Sequence, residues 1–141
     1  MSGGLQAFFA QEAGEAMTEK VVVSDRFKDK DGKPVPWEIR SMTEAENEEI
    51  RKSATRKVKS KNGMYTTETN NELYLAKLAV ASVVFPDLKN VELQQSYGTL
   101  GAENLLRRML LPGEYANLIE KVQEINGFDK DIEDLKEEIK N

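Results

Sequence analysis

Leu73-Tyr74-Leu75-Ala76-Lys77-Leu78-Ala79-Val80-Ala81-Ser82-Val83-Val84-Phe85 is the most apolar stretch of the chain, and Pro86 follows it directly. Leu73, Leu75, Leu78, Val80, Val83 and Val84 put apolar bulk on most sides of a helix, the pattern of a segment covered by its neighbours. The stretch contains Lys77 and is shorter than the roughly 20 residues that a membrane span needs, so it reads as a buried core helix over about Asn70 to Phe85. Thr69 and Glu72 have capping-box spacing at its start, and Pro86 closes it.

Upstream, Thr43 and Glu46 repeat the capping spacing and predict a second helix. Ile50, Ala54 and Val58 recur every four residues along it, and Glu48 and Lys52 form a favourable pair on its polar side. Lys59 to Tyr65, with Asn62 and Gly63, reads as an exposed loop. Further back, Val21 to Phe27 and Val35 to Met42 read as strands joined by the turn residues of 28–34. Trp37 and Ile39 share one face of the second strand, and Glu38 and Arg40 the other. A two-stranded hairpin is marginal alone, so Val21, Val23, Trp37 and Ile39 must find cover from helices.

Downstream, Asn90 caps a short helix carrying Val91 and Leu93, with Gly98 as its stop. Ala102, Leu105, Leu106, Met109 and Leu110 define the face of another helix, leaving Arg107 and Arg108 to solvent. Pro112 suits an opening helical turn, Tyr115, Leu118, Ile119 and Val122 continue with helical spacing, and Asn126-Gly127 ends that helix. The expected fold is α+β: a predominantly helical domain with a small antiparallel β-hairpin near the N-terminus. It spans 1–141 as a single domain, with a flexible arm over 1–19 and, over 129–141, an amphipathic helix docking on this domain or on a partner, with disorder as the alternative; Ile132, Leu135 and Ile139 share one side there among six acids and three lysines.

With 141 residues, one ordinary core suffices, and 39% hydrophobic against 32% charged residues suits a solvated globular domain. No cationic segment followed by a long apolar run occurs in Met1 to Gln11, so no secretory signal is expected. Cysteine and histidine are both absent, which removes disulfides, thiolate sites, the usual proton-exchanging side chain near neutral pH and the commonest zinc nitrogen ligand. Among 25 acids nothing selects a catalytic pair. Asp29, Asp31, Gly32 and Glu38 fit four positions of a calcium loop, but the first ligand position falls on Phe27, which has no oxygen to offer. No glycine run has the lysine of a phosphate-binding loop. Neither a catalytic residue nor a metal or cofactor is therefore expected.

Arg51, Lys52, Arg56, Lys57, Lys59 and Lys61 form a basic stripe that could neutralise phosphates. Glu44, Glu46, Glu48 and Glu49 lie just upstream, and acids early with bases late in one helix oppose its dipole. The stripe therefore reads as a structural or protein-facing feature. A net charge of -5 also disfavours a broad nucleic-acid surface.

Five stretches carry a family resemblance: Leu5-Gln6-Ala7-Phe8-Phe9-Ala10-Gln11, Gly32-Lys33-Pro34-Val35-Pro36-Trp37-Glu38-Ile39-Arg40, Tyr97-Gly98-Thr99-Leu100-Gly101-Ala102-Glu103, Leu111-Pro112-Gly113-Glu114-Tyr115-Ala116 and Lys121-Val122-Gln123-Glu124-Ile125-Asn126-Gly127-Phe128. In this order the chain resembles the XkdN-like tail assembly chaperones of Bacillus phages and of defective prophages such as the PBSX-like element. The resemblance implies a non-enzymatic factor that acts in the bacterial host cytoplasm, binds the phage tape measure protein, assists tail tube assembly and is absent from the mature particle. It further implies the tail tube protein and a frameshifted longer form of the chain itself as partners, with no membrane and no nucleic acid. A tail subunit retained in the particle and a small nucleic-acid-binding regulatory protein stand as alternatives.

A client held by apolar contacts and rim charges needs a groove and an adaptable edge. The candidate contacts are Phe8, Phe9, Trp37, Tyr97, Leu106, Met109, Tyr115 and Phe128, joined by Ile132, Leu135 and Ile139 of the C-terminal segment. For each of the first eight, core packing competes with client contact and weighs more, most of all for Tyr115.

Overall fold

The computed structural model describes residues 3–14 and 16–128. A 3-10 helix over Gly3–Phe8 leads into α1 (Ala10–Ala13), followed by β1 (Thr18–Val21) and β2 (Trp37–Arg40). Then come α2 (Glu44–Ser53), β3 (Thr55–Lys59), β4 (Tyr65–Thr69), α3 (Asn71–Ser82), β5 (Val83–Phe85), α4 (Val91–Ser96), α5 (Ala102–Met109) and α6 (Pro112–Ile125). The fold is mixed α+β with two small antiparallel sheets, which corrects the expectation of a single N-terminal hairpin. β1 also begins inside the segment assigned to the arm over 1–19.

In the first sheet β2 is central, pairing with β1 from Thr18 opposite Arg40 to Val21 opposite Trp37. β5 pairs along its other side, with an irregularity between Glu38 and Ile39. The strands are shorter than the sequence suggests, and the connection between β1 and β2 is an excursion closed by a Lys28–Pro34 bridge. Alternation along β2 turns Trp37 and Ile39 inward, with 1% and 0% of their surface exposed, while Glu38 and Arg40 are half-buried on the other face. α6 packs across β1 and β2, and α3 packs against α2, α5 and α6. Leu78, Leu105, Leu106, Leu118 and Val122 fill the space between these layers. Each such aliphatic side chain contributes about 1.5–3 kcal/mol through removal from water.

The long apolar stretch is divided. Its helix ends at Ser82, and Val83–Phe85 continues as the third strand, with Val84 and Phe85 exposed. Its cap is also one residue later than expected: Asn70 Oδ1 accepts from the Leu73 N–H at 3.1 Å. Thr69 is occupied as the last residue of β4, where its hydroxyl bonds that of Thr55 at 2.7 Å.

The second sheet replaces the expected extension of α2 to Val58 and the loop after it. α2 stops at Ser53, and only Ile50 of the expected stripe is helical. Thr55, Val58, Thr66, Thr67 and Thr69 are β-branched residues that pack better on a pleated surface than on a helix. Gly63 takes φ 81°, donates its N–H to the Ser60 carbonyl at 3.0 Å and turns the chain back. Within α2, Glu48 pairs with Arg51 and not with Lys52. Thr43 caps the helix as expected, accepting from the Glu46 N–H at 3.3 Å, but the Glu46 carboxylate turns to Arg40 at 2.8 Å.

Candidate protein-binding surface

Three parts of the described chain leave contact chemistry on the surface. The first is the N-terminal 3-10 helix and α1. Phe8 is 79% exposed, and Leu5 and Phe9 are also exposed, so this segment presents apolar bulk that the core does not absorb. Gly14 follows with φ 84° and separates it from β1.

The second is a cavity of about 420 Å³ where α3, α5 and α6 meet, lined by Leu75, Leu110, Pro112 and Tyr115 with Glu72 and Arg107 at its polar positions. The start of α6, which gives this cavity Pro112 and Tyr115, is held by an ion pair between residues far apart in sequence. Arg26 Nη2 donates to Glu114 Oε1 at 2.6 Å and to the Met109 carbonyl at 2.8 Å, and its Nε reaches Glu114 Oε2 at 3.3 Å. Glu114 Oε1 also accepts from the Leu111 N–H at 2.8 Å, satisfying a free donor at the start of α6. Hydrogen bonds from Arg26, then from Ser24 and the Leu111 backbone, lower the Glu114 carboxyl from its ordinary 4.5 to about 2. The same contact raises Arg26. The Arg40 hydrogen bond likewise lowers Glu46.

The third lies at the end of the described chain, where Phe128 is exposed beside a cavity of about 370 Å³ that it lines with Met42, Asn47, Arg51 and Leu78. Asn126 anchors this end: its Oδ1 accepts from the Met42 N–H at 2.8 Å, while its Nδ2 donates to the Val122 carbonyl at 2.8 Å and to Ser82 Oγ at 3.4 Å.

The candidate residues thus separate by environment. Phe8, Phe9 and Phe128 are exposed; Tyr97 and Tyr115 are half-buried against the core, Tyr115 also lining the α3–α5–α6 cavity. Trp37, Leu106 and Met109 are buried core residues, Trp37 with its ring centroid 6.3 Å from that of Phe27, and they have no surface to offer a partner without rearrangement. Ile132, Leu135 and Ile139, with the whole helix expected over 129–141, lie outside the described residues. Leu75 and Leu110, which the sequence marks only as apolar helix-face residues, line the cavity, and nothing in the sequence joins Arg26 to Glu114. Glu114, three residues after Leu111 and just beyond Pro112, was the one visible signal.

Among the described residues no group of three or more acidic side chains is placed to hold a metal. Asp29 Oδ1 in the β1–β2 connection accepts from the Asp31 and Lys33 N–H groups at 2.8 and 3.0 Å, closing a turn. Among those residues no helix is long and apolar enough to cross a membrane.

Residues 5–140 match the family described as phage XkdN-like tail assembly chaperone protein. The chain is 34% identical over 138 residues to the phage-like element PBSX protein XkdN of Bacillus subtilis (strain 168), a match covering 97% of this chain and 93% of that protein. It is 36% identical, with the same coverage, to YqbN, an uncharacterized protein of the same strain. A crystal structure of YqbN superposes with a TM-score of 0.75 at 32% identity, covering 89% of this chain and 97% of that one.

Proposed function

The chain belongs to the XkdN-like phage tail assembly chaperone family, and from that premise we propose that it binds the tape measure protein during tail construction, assists tail tube assembly and leaves before the particle is complete. The observation that carries this reading is the continuous family match over residues 5–140. The work proposed is non-covalent: to hold extended, aggregation-prone segments of a long client until tube subunits surround them. It is done in the cytoplasm of the bacterial host, with the tail tube protein and a longer frameshifted form of the chain as further partners.

Exposed aromatic residues outside the core support contact through Phe8, Phe9 and Phe128, with the apolar cavity beside Tyr115 as a second holding point. Ile132, Leu135 and Ile139 of the C-terminal segment belong to the same proposal. Co-expression with the proteins encoded beside it, followed by affinity purification and mass analysis of intermediates and mature tails, tests the reading. Recovery with the tape measure protein in intermediates and absence from mature tails is expected. Stoichiometric retention in the mature tail would make the chain a structural subunit. Association with no tail component under native expression would reject the proposal.

A further inference from the structure

β1 is an outer strand of the first sheet and has β2 on one side only. Antiparallel pairing alternates between residues that bond across the ladder and residues whose backbone groups point away from it. Two bonds fix the phase here: the Ser41 N–H donates to the Met17 carbonyl at 2.8 Å, and the Met17 N–H donates to Ser41 Oγ at 2.9 Å. Counting on from Met17, Glu19 opposite Ile39 and Val21 opposite Trp37 take bonding positions, with Thr18 opposite Arg40 and Lys20 opposite Glu38 between them. The N–H and C=O groups of Thr18 and Lys20 therefore face away from β2. Val22 continues the alternation, 64% exposed between the buried Val21 and Val23. Among the described residues no backbone group pairs with the free side of these three.

A groove lies beside that free side. A cavity of about 200 Å³ between β1 and α6 is lined by residues 21–23 and by Asn117, Leu118, Glu120 and Lys121. Leu118 and Val23 are buried and give it an apolar floor, while Asn117, Glu120 and Lys121 are exposed at its rim. Its size exceeds the roughly 150 Å³ that accommodates a benzene ring, so an aliphatic side chain fits. One kind of occupant answers both features. An extended chain supplies the acceptors and donors that Thr18, Lys20 and Val22 lack, and every second side chain of it falls on the groove side. A helix spends its backbone groups on itself and answers neither. The exposed charges around the site, Glu19, Lys20, Glu120 and Lys121, are two of each sign. No net charge therefore steers the choice, and apolar content decides it.

We propose that β1 accepts an extended, uncharged client segment, apolar at alternate positions, as a fourth strand of the first sheet. The segment pairs with the backbone of Thr18, Lys20 and Val22 and seats an aliphatic side chain between Val22 and α6. That the tape measure protein supplies this strand rests on the assembly-chaperone reading; the site itself does not.

Amide exchange of the full-length chain reads the site residue by residue. In the protein alone the amides of Glu19 and Val21 should be protected and those of Thr18, Lys20 and Val22 open. Two probes are used: the tape measure protein encoded beside the chain, and a synthetic peptide of about seven residues with valine at every second position. Each should slow exchange at Thr18, Lys20 and Val22 about tenfold or more. Of two such peptides N-methylated on alternate sets of amides, one should bind and the other should not, because only one set faces β1. Lys20→Pro removes an N–H that points away from β2, where an edge strand tolerates proline. It should weaken peptide binding about tenfold, whereas Lys20→Ala, which keeps the backbone donor, should change it less than about twofold. Continued protection of Glu19 and Val21 shows that the proline variant keeps its sheet; if that protection is lost, the methylated pair of peptides decides. A tape measure protein that binds while these three amides stay open would overturn the proposal and leave the assembly reading standing. A peptide that protects them beside a tape measure protein that does not bind would uphold the site and sink that reading. Protection already present in the free chain would give the edge to the chain itself or, if lost on dilution, to a second copy, and either result overturns the proposal. So does an absence of protection with both probes.

Discussion

In the three-stranded sheet, β2 turns Trp37 and Ile39 into a core covered by α6. In the β3–β4 hairpin the same two-residue alternation turns Lys57 and Lys59, with Thr67 and Tyr65 across from them, into solvent. Backbone pairing is alike in the two regions, antiparallel and a few residues long. What differs is the cover. One sheet is a wall of the core, while the other joins the body through α2 and α3: the Thr55–Thr69 hydroxyl pair and the Asn70 N–H donating to the Ala54 carbonyl at 2.9 Å close its base, and Thr55 Oγ1 donates to the Arg51 carbonyl of α2 at 2.8 Å. β-structure in this chain follows two separate instructions: apolar alternation where a helix is available to cover it, and β-branched composition around a turn where none is.

The sharpest contrast should come from Trp37→Ala. It removes a side chain that is 1% exposed at the centre of the sheet, and truncation of a buried aromatic of this size typically costs about 3–5 kcal/mol. A urea titration should show the midpoint falling steeply with little change in slope. A loss below about 1 kcal/mol would mean that the sheet wall is looser than its burial states.

Acid should weaken the same half of the molecule through Glu114. Its folded pKa of about 2 lies below its ordinary 4.5, so its contribution is fully present above that ordinary value. It is then lost as pH falls through the folded value. Melting temperatures measured from pH 5 to 2 should decline, and Glu114→Gln should flatten the decline while lowering stability at neutral pH. An identical acid profile in the variant would remove the Arg26 pair from the account.

Gly63→Ala should have the smallest effect and the most local one. Glycine there holds φ 81° with open space around it, so the cost is backbone strain alone, roughly 1–2 kcal/mol. Amide exchange should accelerate in β3 and β4 with the urea midpoint nearly unchanged. If the midpoint fell as far as in Trp37→Ala, the hairpin would have to be counted as part of the cooperative core.

The core half was legible because its signals are periodic and local. Trp37 and Ile39 alternate as a covered strand should, Asn90 caps α4 by accepting from the Leu93 N–H at 2.8 Å, and α6 runs from Pro112 to the Asn126-Gly127 stop. The hairpin was hidden by a coincidence of spacing: Ala54 and Val58 extend the four-residue rhythm of Ile50 beyond the point where the backbone leaves the helix. β5 was hidden because a continuous apolar run looks the same as buried helix or buried strand. Arg26 and Glu114 stand 88 residues apart, and no local pattern joins them. Among the candidate contacts, aromatic identity alone could not separate the exposed Phe8 and Phe128 from the buried Trp37, because that division is made by tertiary packing.

The three residues of β5 form an outer border of the first sheet, with Val84 and Phe85 exposed. A border of unpaired backbone groups is a template on which foreign strands can grow. Here the template is three residues long, and Pro86, which has no N–H to give, stands directly after it. A protein whose proposed task is to keep company with extended, sticky chains would be exposed to recruitment into their aggregates. The brevity of β5 and the proline at its end leave such a chain little purchase.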